Sequence, residues 1–136
     1  MGLSNIVTVV ISVLSSSIFT LVLSSLIFDP VRERKKYIFD EKKQVYNSII
    51  VFAQIFLYPQ EAKFSLHVQQ YDIQKLSDEE NIRNAGNDLK MTVPKLKLIT
   101  KNEKVIEKTN LFIERRDADT FNTLVNELRK DLYKLN

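Results

Sequence analysis

Residues 3–28 read LSNIVTVVISVLSSSIFTLVLSSLIF, a run of 26 positions without Asp, Glu, Lys or Arg. The 20 basic and 17 acidic residues of the 136-residue chain all lie after Phe28. A chain divided this sharply reports two solvents. As a helix rising about 1.5 Å per residue, the run reaches roughly 39 Å, more than the roughly 30 Å hydrocarbon core of a bilayer. Tilt, or a polar outer end among headgroups, absorbs the excess, and the cost of unpaired backbone groups in lipid demands a helix. A cleaved signal peptide would open on basic residues and end at a small-residue site. Here no charged side chain precedes the run, and it ends bulky, in Leu26, Ile27 and Phe28. The expectation is a transmembrane anchor over 1–29.

The flanks orient it. Arg32, Arg34, Lys35 and Lys36 follow the run, then Lys42 and Lys43, and no Lys or Arg precedes it. Positive charge is retained on the cytoplasmic side, so the expected topology has the N-terminus outside the cell (inner) membrane and the remainder, 30–136, in the cytoplasm. Arg32, Arg34, Lys35 and Lys36 form a basic cluster that can lie against anionic headgroups. Glu33, Asp40 and Glu41 dilute it, which suits an anchor better than a lipid-specific sensor.

Inside the run, hydroxyl residues recur every four positions: Ser4, Thr8, Ser12, Ser16, Thr20 and Ser24, with Ser15, Ser17 and Ser25 beside them. This is the small-xxx-small spacing of close helix contacts in membranes, so these six positions are the expected contact face. Each step of four turns by about 40°, so a single straight partner cannot meet them all. Two neighbours in a ring can. The competing readings are hydroxyls bonded back to their own helix and a hydrated pore lining.

Beyond the anchor the sequence points to an all-α fold, a small helical bundle of four or five helices. Only Gly2, Gly86, Pro30, Pro59 and Pro94 break the chain. Asp29 before Pro30 looks like a cap preceding a first-turn proline, opening a helix that runs to about Tyr58. Its second half, 44–60, is uncharged and apolar enough to be the central core helix, an interfacial helix being the alternative. A second helix is expected over Glu61–Leu76, packing Phe64, Leu66, Val68, Tyr71 and Ile73. Ser77-Asp-Glu-Glu80 reads as a capping box for a third, with Ile82, Leu89 and Met91. Its passage through Pro94 is open, a short strand at Leu96–Ile99 being the alternative. Thr100-Lys-Asn-Glu103 is a second capping box, ahead of Val105, Ile106, Phe112 and Ile113. Asp117 or Asp119 can cap a last helix striped by Phe121, Leu124, Val125, Leu128 and Leu132.

The basic flank, Val45-Tyr-Asn-Ser-Ile-Ile50, Lys104-Val-Ile106 and Leu128-Arg-Lys-Asp-Leu132 together resemble a group of short, uncharacterised single-pass bacterial membrane proteins with helical cytoplasmic domains. The resemblance covers most of the chain. It implies an architecture, and transfers no activity and no catalytic residue.

Chemistry finds few candidates. With no cysteine, disulfides, thiolate sites and cysteine nucleophiles are excluded. His67 is the only histidine, too little for a zinc or two-histidine iron site within one chain, and no G-x-S-x-G elbow exists. Asp78, Glu79 and Glu80, like Asp117 and Asp119, suit helix starts and lack the pattern of a calcium loop. Arg115 and Arg116 read as a solvated turn. Residues 44–136 hold 14 basic and 13 acidic side chains, without the concentrated basic face nucleic acid requires. Lys90, Lys95, Lys97, Lys101 and Lys104 form a basic patch, either a solvated edge or a docking site for an acidic partner or the membrane surface. No catalytic residue, cofactor or metal is expected.

The sequence therefore favours a membrane-tethered interaction module, recruiting, regulating or assembling with a partner protein or with copies of itself through the transmembrane helix. A membrane-active oligomeric effector is the alternative, and an enzyme with an unrecognised site the third reading.

Overall fold

The computed structural model describes residues 2–65 and 72–134. Among them every regular element is helical. The chain divides into two compact units, 1–38 and 39–136.

In the first unit, α1 spans Leu3–Leu23 and none of its residues is buried. It is long and apolar enough to cross a membrane. A π-helical turn, Ser24–Phe28, follows directly, and α2 begins at Asp29 and runs to Leu57. A new start capped by Asp29 is not what forms. Asp29 is itself helical (φ −65°, ψ −46°), and its amide donates to the Ser24 carbonyl five residues back. Pro30 explains the widened turn. Its ring would crowd the carbonyl four residues earlier, and it has no N–H to offer. A π turn just ahead of it is one of the few ways a helix can admit a proline without ending.

In the second unit, α2 buries Val45, Tyr46, Ile49, Ala53, Ile55 and Phe56, a helical spacing that places them on one side. It stops because Tyr58 precedes Pro59 and leaves the helical region (φ −126°, ψ 65°). Pro59 then opens a short helix, α3, Pro59–Lys63.

The helix expected over Glu61–Leu76 is not formed as such. α3 ends at Lys63, Phe64 is 85% exposed, and Asp72 is left-handed at φ 53°. A 3₁₀ turn, Ile73–Lys75, comes next and buries Ile73. The left-handed Asp72 cannot sit inside a helix, and the Ile73 carbonyl accepts both from the Leu76 amide at 3.4 Å and from Asn81 Nδ2 at 2.8 Å. Leu66, His67, Val68 and Tyr71 lie outside the described residues.

α4, Asp78–Ile99, opens with the expected capping box. Glu80 N–H donates to Ser77 Oγ at 3.2 Å, and Ser77 N–H to Glu80 Oε2 at 3.1 Å. The helix passes through Pro94, so Leu96–Ile99 is helical, not a strand. Pro94 and Lys90 are both exposed, where water can take the carbonyl the proline leaves unbonded. Leu89 and Leu96 are fully buried, but Met91 is 76% exposed, on the far side from the core.

The next cap is shifted by two residues. Asn102, not Thr100, accepts from the Lys104 amide (3.0 Å) and opens α5, Glu103–Arg115. Thr100 Oγ1 accepts instead from the Asn102 amide, two residues on, at 3.0 Å, and donates its own proton to Asp131. α5 ends at left-handed Arg116 (φ 48°). Asp117 caps α6, Ala118–Leu132, accepting from the Thr120 amide at 2.7 Å.

α5 packs against both α4 and α6. Phe112, Leu124, Val105, Ile49, Leu89 and Leu96 are fully buried in one core with the inner side of α2. Phe56 meets Phe112 edge-on at 5.7 Å, and Phe112 meets Phe121 at 5.6 Å. Gly86 makes this approach possible: a Cβ there would stand 3.0 Å from the Phe56 ring.

Candidate functional site

Within the first unit, the side chains of 3–22 are all exposed. Several hydroxyls donate to the carbonyl four residues back: Thr8 to Ser4 (2.8 Å), Ser12 to Thr8 (2.9 Å), Thr20 to Ser16 (2.9 Å), Ser17 to Val13 (3.0 Å) and Ser25 to Leu21 (3.3 Å). Donors are thus spent inside the helix, which lets it carry hydroxyls in apolar surroundings at small cost. Their oxygens keep acceptor capacity, and the small side chains leave the helix surface shallow along that path. Arg32, Arg34, Lys35 and Lys36 are exposed on α2.

Lys42 behaves differently from those four. In the second unit its ammonium turns inward, 3.2 Å from Asp131 Oδ2. The same carboxylate oxygen accepts from the Tyr46 and Thr100 hydroxyls, the latter at 3.0 Å. Asp131 is 6% exposed, on α6 between Leu128 and Leu132. Burial raises its pKa, but the hydrogen bonds from Tyr46 and Thr100 and the Lys42 charge outweigh this and hold the carboxyl below its ordinary range. Tyr46 is pushed well above a normal phenol, first by burial and then by the neighbouring carboxylate. The group gathers three donors on one carboxylate oxygen, Oδ2. It clasps α2 and the α4–α5 connection to α6. Sequence reasoning missed it; the available signal was an acid one position from the apolar stripe of α6.

Arg116 is a second surprise. Its Nε donates to the Phe56 carbonyl at 2.7 Å, and its guanidinium lies 5.5 Å from the centre of the Phe56 ring. Arg115 and Arg116 are exposed, as a solvated turn requires, and Arg116 adds a cation at the C-terminus of α2, where the helix dipole favours positive charge. Asp78 likewise does more than face a dipole: Lys63 Nζ lies 2.9 Å from its Oδ1, and Gln60 donates to Oδ2. The bond and charge of Lys63 lower its pKa. These contacts tie α3 to α4.

A cavity of about 410 Å³ opens beside α4, lined in part by Ile55, Ile73, Asn81, Asn84, Asn87 and Asp88. Asn81 is 2% exposed, and its Oδ1 has no hydrogen-bond partner. Partial burial raises the pKa of Asp88. His67 lies outside the described residues. Among the described residues no group of three His, Cys, Asp or Glu side chains is placed to hold a metal ion.

The basic patch is solvent-facing throughout: Lys90, Lys95, Lys97, Lys101 and Lys104 are all exposed. The structure adds what the sequence reading left out. Met91 and Leu98, 76% and 87% exposed, stand among these lysines on α4 with exposed Pro94 between them. Comparison with known protein families, with curated proteins and with solved structures finds no match to this chain.

Proposed function

We propose that the chain is a single-pass membrane protein of the inner membrane whose helical portion, beyond the span, recruits, regulates or assembles with a partner protein on the cytoplasmic side. One observation carries this reading: a 21-residue apolar helix with no buried residue, leading into exposed Arg32, Arg34, Lys35 and Lys36. A helix with apolar side chains on every face is stable where the solvent is hydrocarbon, and the basic flank orients it with its N-terminus outside. In the second unit, contacts at Asp131, Arg116 and Asp78 tie segments to one another. That favours a binding module over an enzyme.

Native mass spectrometry of the full chain, extracted in mild detergent at its own expression level, tests the proposal. A single copy bound to another polypeptide supports the recruiting role. A lone monomer with no bound partner overturns it.

The hydroxyl spacing favours a second reading, a membrane-active oligomeric effector assembled through Ser4, Thr8, Ser12, Ser16, Thr20 and Ser24. Bonds across membrane helices average under 1 kcal/mol or about that each, so the stripe would tune an assembly more than create it. A closed homo-oligomer that dissociates when Ser12, Ser16 and Thr20 are replaced by leucine, with loss of membrane potential on expression of the unaltered chain only, is its expected signature. Toxicity that persists in the triple variant rules it out.

A further inference from the structure

We infer that the face of α4 carrying Met91, Pro94 and Leu98 docks onto an anionic lipid surface. At 3.6 residues per turn, Met91 and Leu98 lie within about 20° of each other around the helix and Pro94 within about 60° of Met91. They form one ridge. Met91 and Leu98 are among the large apolar side chains that the core left out, while Leu89 and Leu96 of the same helix are fully buried. Lys95 flanks the ridge on one side and Lys90 and Lys97 on the other, with Lys101 just past the helix end; all four are exposed.

This is the chemistry of an interfacial helix: a narrow apolar strip to enter the headgroup boundary, with cations beside it to meet lipid phosphates. Lysine suits the role, because its methylene stem can lie against apolar surface while the ammonium reaches outward. Lysines on both flanks of one helical ridge spread the positive charge along a broad contact, which favours an extended anionic lipid surface over an acidic protein. Asp88 lies at the N-terminal edge of the face, about 60° from Met91, where it limits the strip to the C-terminal half of α4. The inference rests on the anchor reading, since a tethered domain meets the bilayer at high effective concentration.

The chain has no cysteine, so single labels report cleanly. Spin labels at Met91→Cys on the ridge, Asn110→Cys at an exposed position of α5 and Ser12→Cys in α1 would be placed in the full chain. Each would be reconstituted into vesicles of phosphatidylcholine, alone or mixed with phosphatidylglycerol. Relaxation by oxygen, which concentrates in lipid, is compared with relaxation by a water-soluble nickel chelate.

The expected result is a Met91→Cys label that becomes oxygen-favoured only with phosphatidylglycerol, while Asn110→Cys stays nickel-favoured in both. Adding Lys90→Gln and then Lys97→Gln should lower the lipid-contact population about fivefold at each step, the equivalent of about 1 kcal/mol per basic residue. A Met91→Cys label open to nickel in both lipids, with Ser12→Cys at lipid depth, overturns the docking inference alone. A water-exposed Ser12→Cys label overturns the anchor reading and the inference with it. Shielding of Met91→Cys from both reagents regardless of lipid marks a protein contact and also overturns the proposal.

Discussion

The two units solve the same problem in opposite senses. In 3–28 the apolar side chains face outward and the hydroxyls of Thr8, Ser12, Ser17, Thr20 and Ser25 are turned back onto their own helix. In 39–136 the apolar side chains are enclosed, and the polar groups that go in with them, Asn81, Thr100, Thr109, Thr120 and Asp131, are bonded mainly to other segments or to caps. Asp131 draws on α2 and the α4–α5 link, and Asn81 reaches the 3₁₀ turn. A helix whose polar groups are satisfied locally needs no tertiary partner. A helix that buries a carboxylate cannot stand without one.

Substitution should expose the contrast most strongly in the core. Phe112→Ala removes a fully buried ring that touches both Phe56 and Phe121 and should cost about 3–5 kcal/mol. Leu14→Ala, on a helix with nothing buried, should leave the same denaturation midpoint unchanged. Urea titration of the full chain in mild detergent, followed by aromatic absorbance, measures both; equal losses would break the comparison. Conversely, Val13→Arg should cost about 2.5–3.5 kcal/mol of membrane insertion, read as release from the membrane fraction, without altering the urea midpoint.

The clasp supplies a pH test. Asp131 has a folded pKa below its unfolded one, so its contribution is present above the ordinary carboxylate range and is lost as pH falls through the folded value. Asp131→Asn should cost about 2–3 kcal/mol at neutral pH by weakening a charge-assisted acceptor for three donors, and should flatten the acid side of the stability profile. An Asn variant with the same acid slope as the unaltered chain would show that the charge contributes nothing. Asp78 and Asp117 carry downward shifts as well, so some slope remains in the variant.

Smaller effects sharpen the picture. Gly86→Ala should destabilise by about 1 kcal/mol even though alanine is the better helix former. Phe56, held by Phe112 and Arg116, has little room to retreat from a Cβ at 3.0 Å. A more stable variant would show the ring to be free. Ser77→Ala should cost about 1 kcal/mol by removing half the capping box, read from the same titration.

Much of this was legible in the sequence where a signal is local. The uncharged run, the Ser77 capping box, the stop before Pro59 and the α6 stripe with Leu124 and Leu128 at its centre all depend on residues within a turn or two of each other. Long-range competition defeated the rest. Thr100 has the spacing of a cap, yet its oxygen accepts from the Asn102 amide while its proton goes to Asp131, and Asn102 caps in its place. Asp29-Pro30 has the spacing of a helix start, yet helical backbone already reaches it and a π turn absorbs the proline. Met91 has the composition of a core residue, yet α4 turns Leu89 and Leu96 inward and leaves it in solvent. Lys42 belongs by position to the basic flank, yet it pairs with a carboxylate 89 positions away.

The sequence by itself determined that the described residues are helical and that an uncharged apolar run precedes a charged remainder, because charge and hydrophobicity act residue by residue. Only the tertiary structure decided which polar groups serve the core and which apolar groups are left over. Burial is a competition among all helices at once, and its outcome for Asp131, Arg116, Met91 and Leu98 depends on partners that no short stretch of sequence contains.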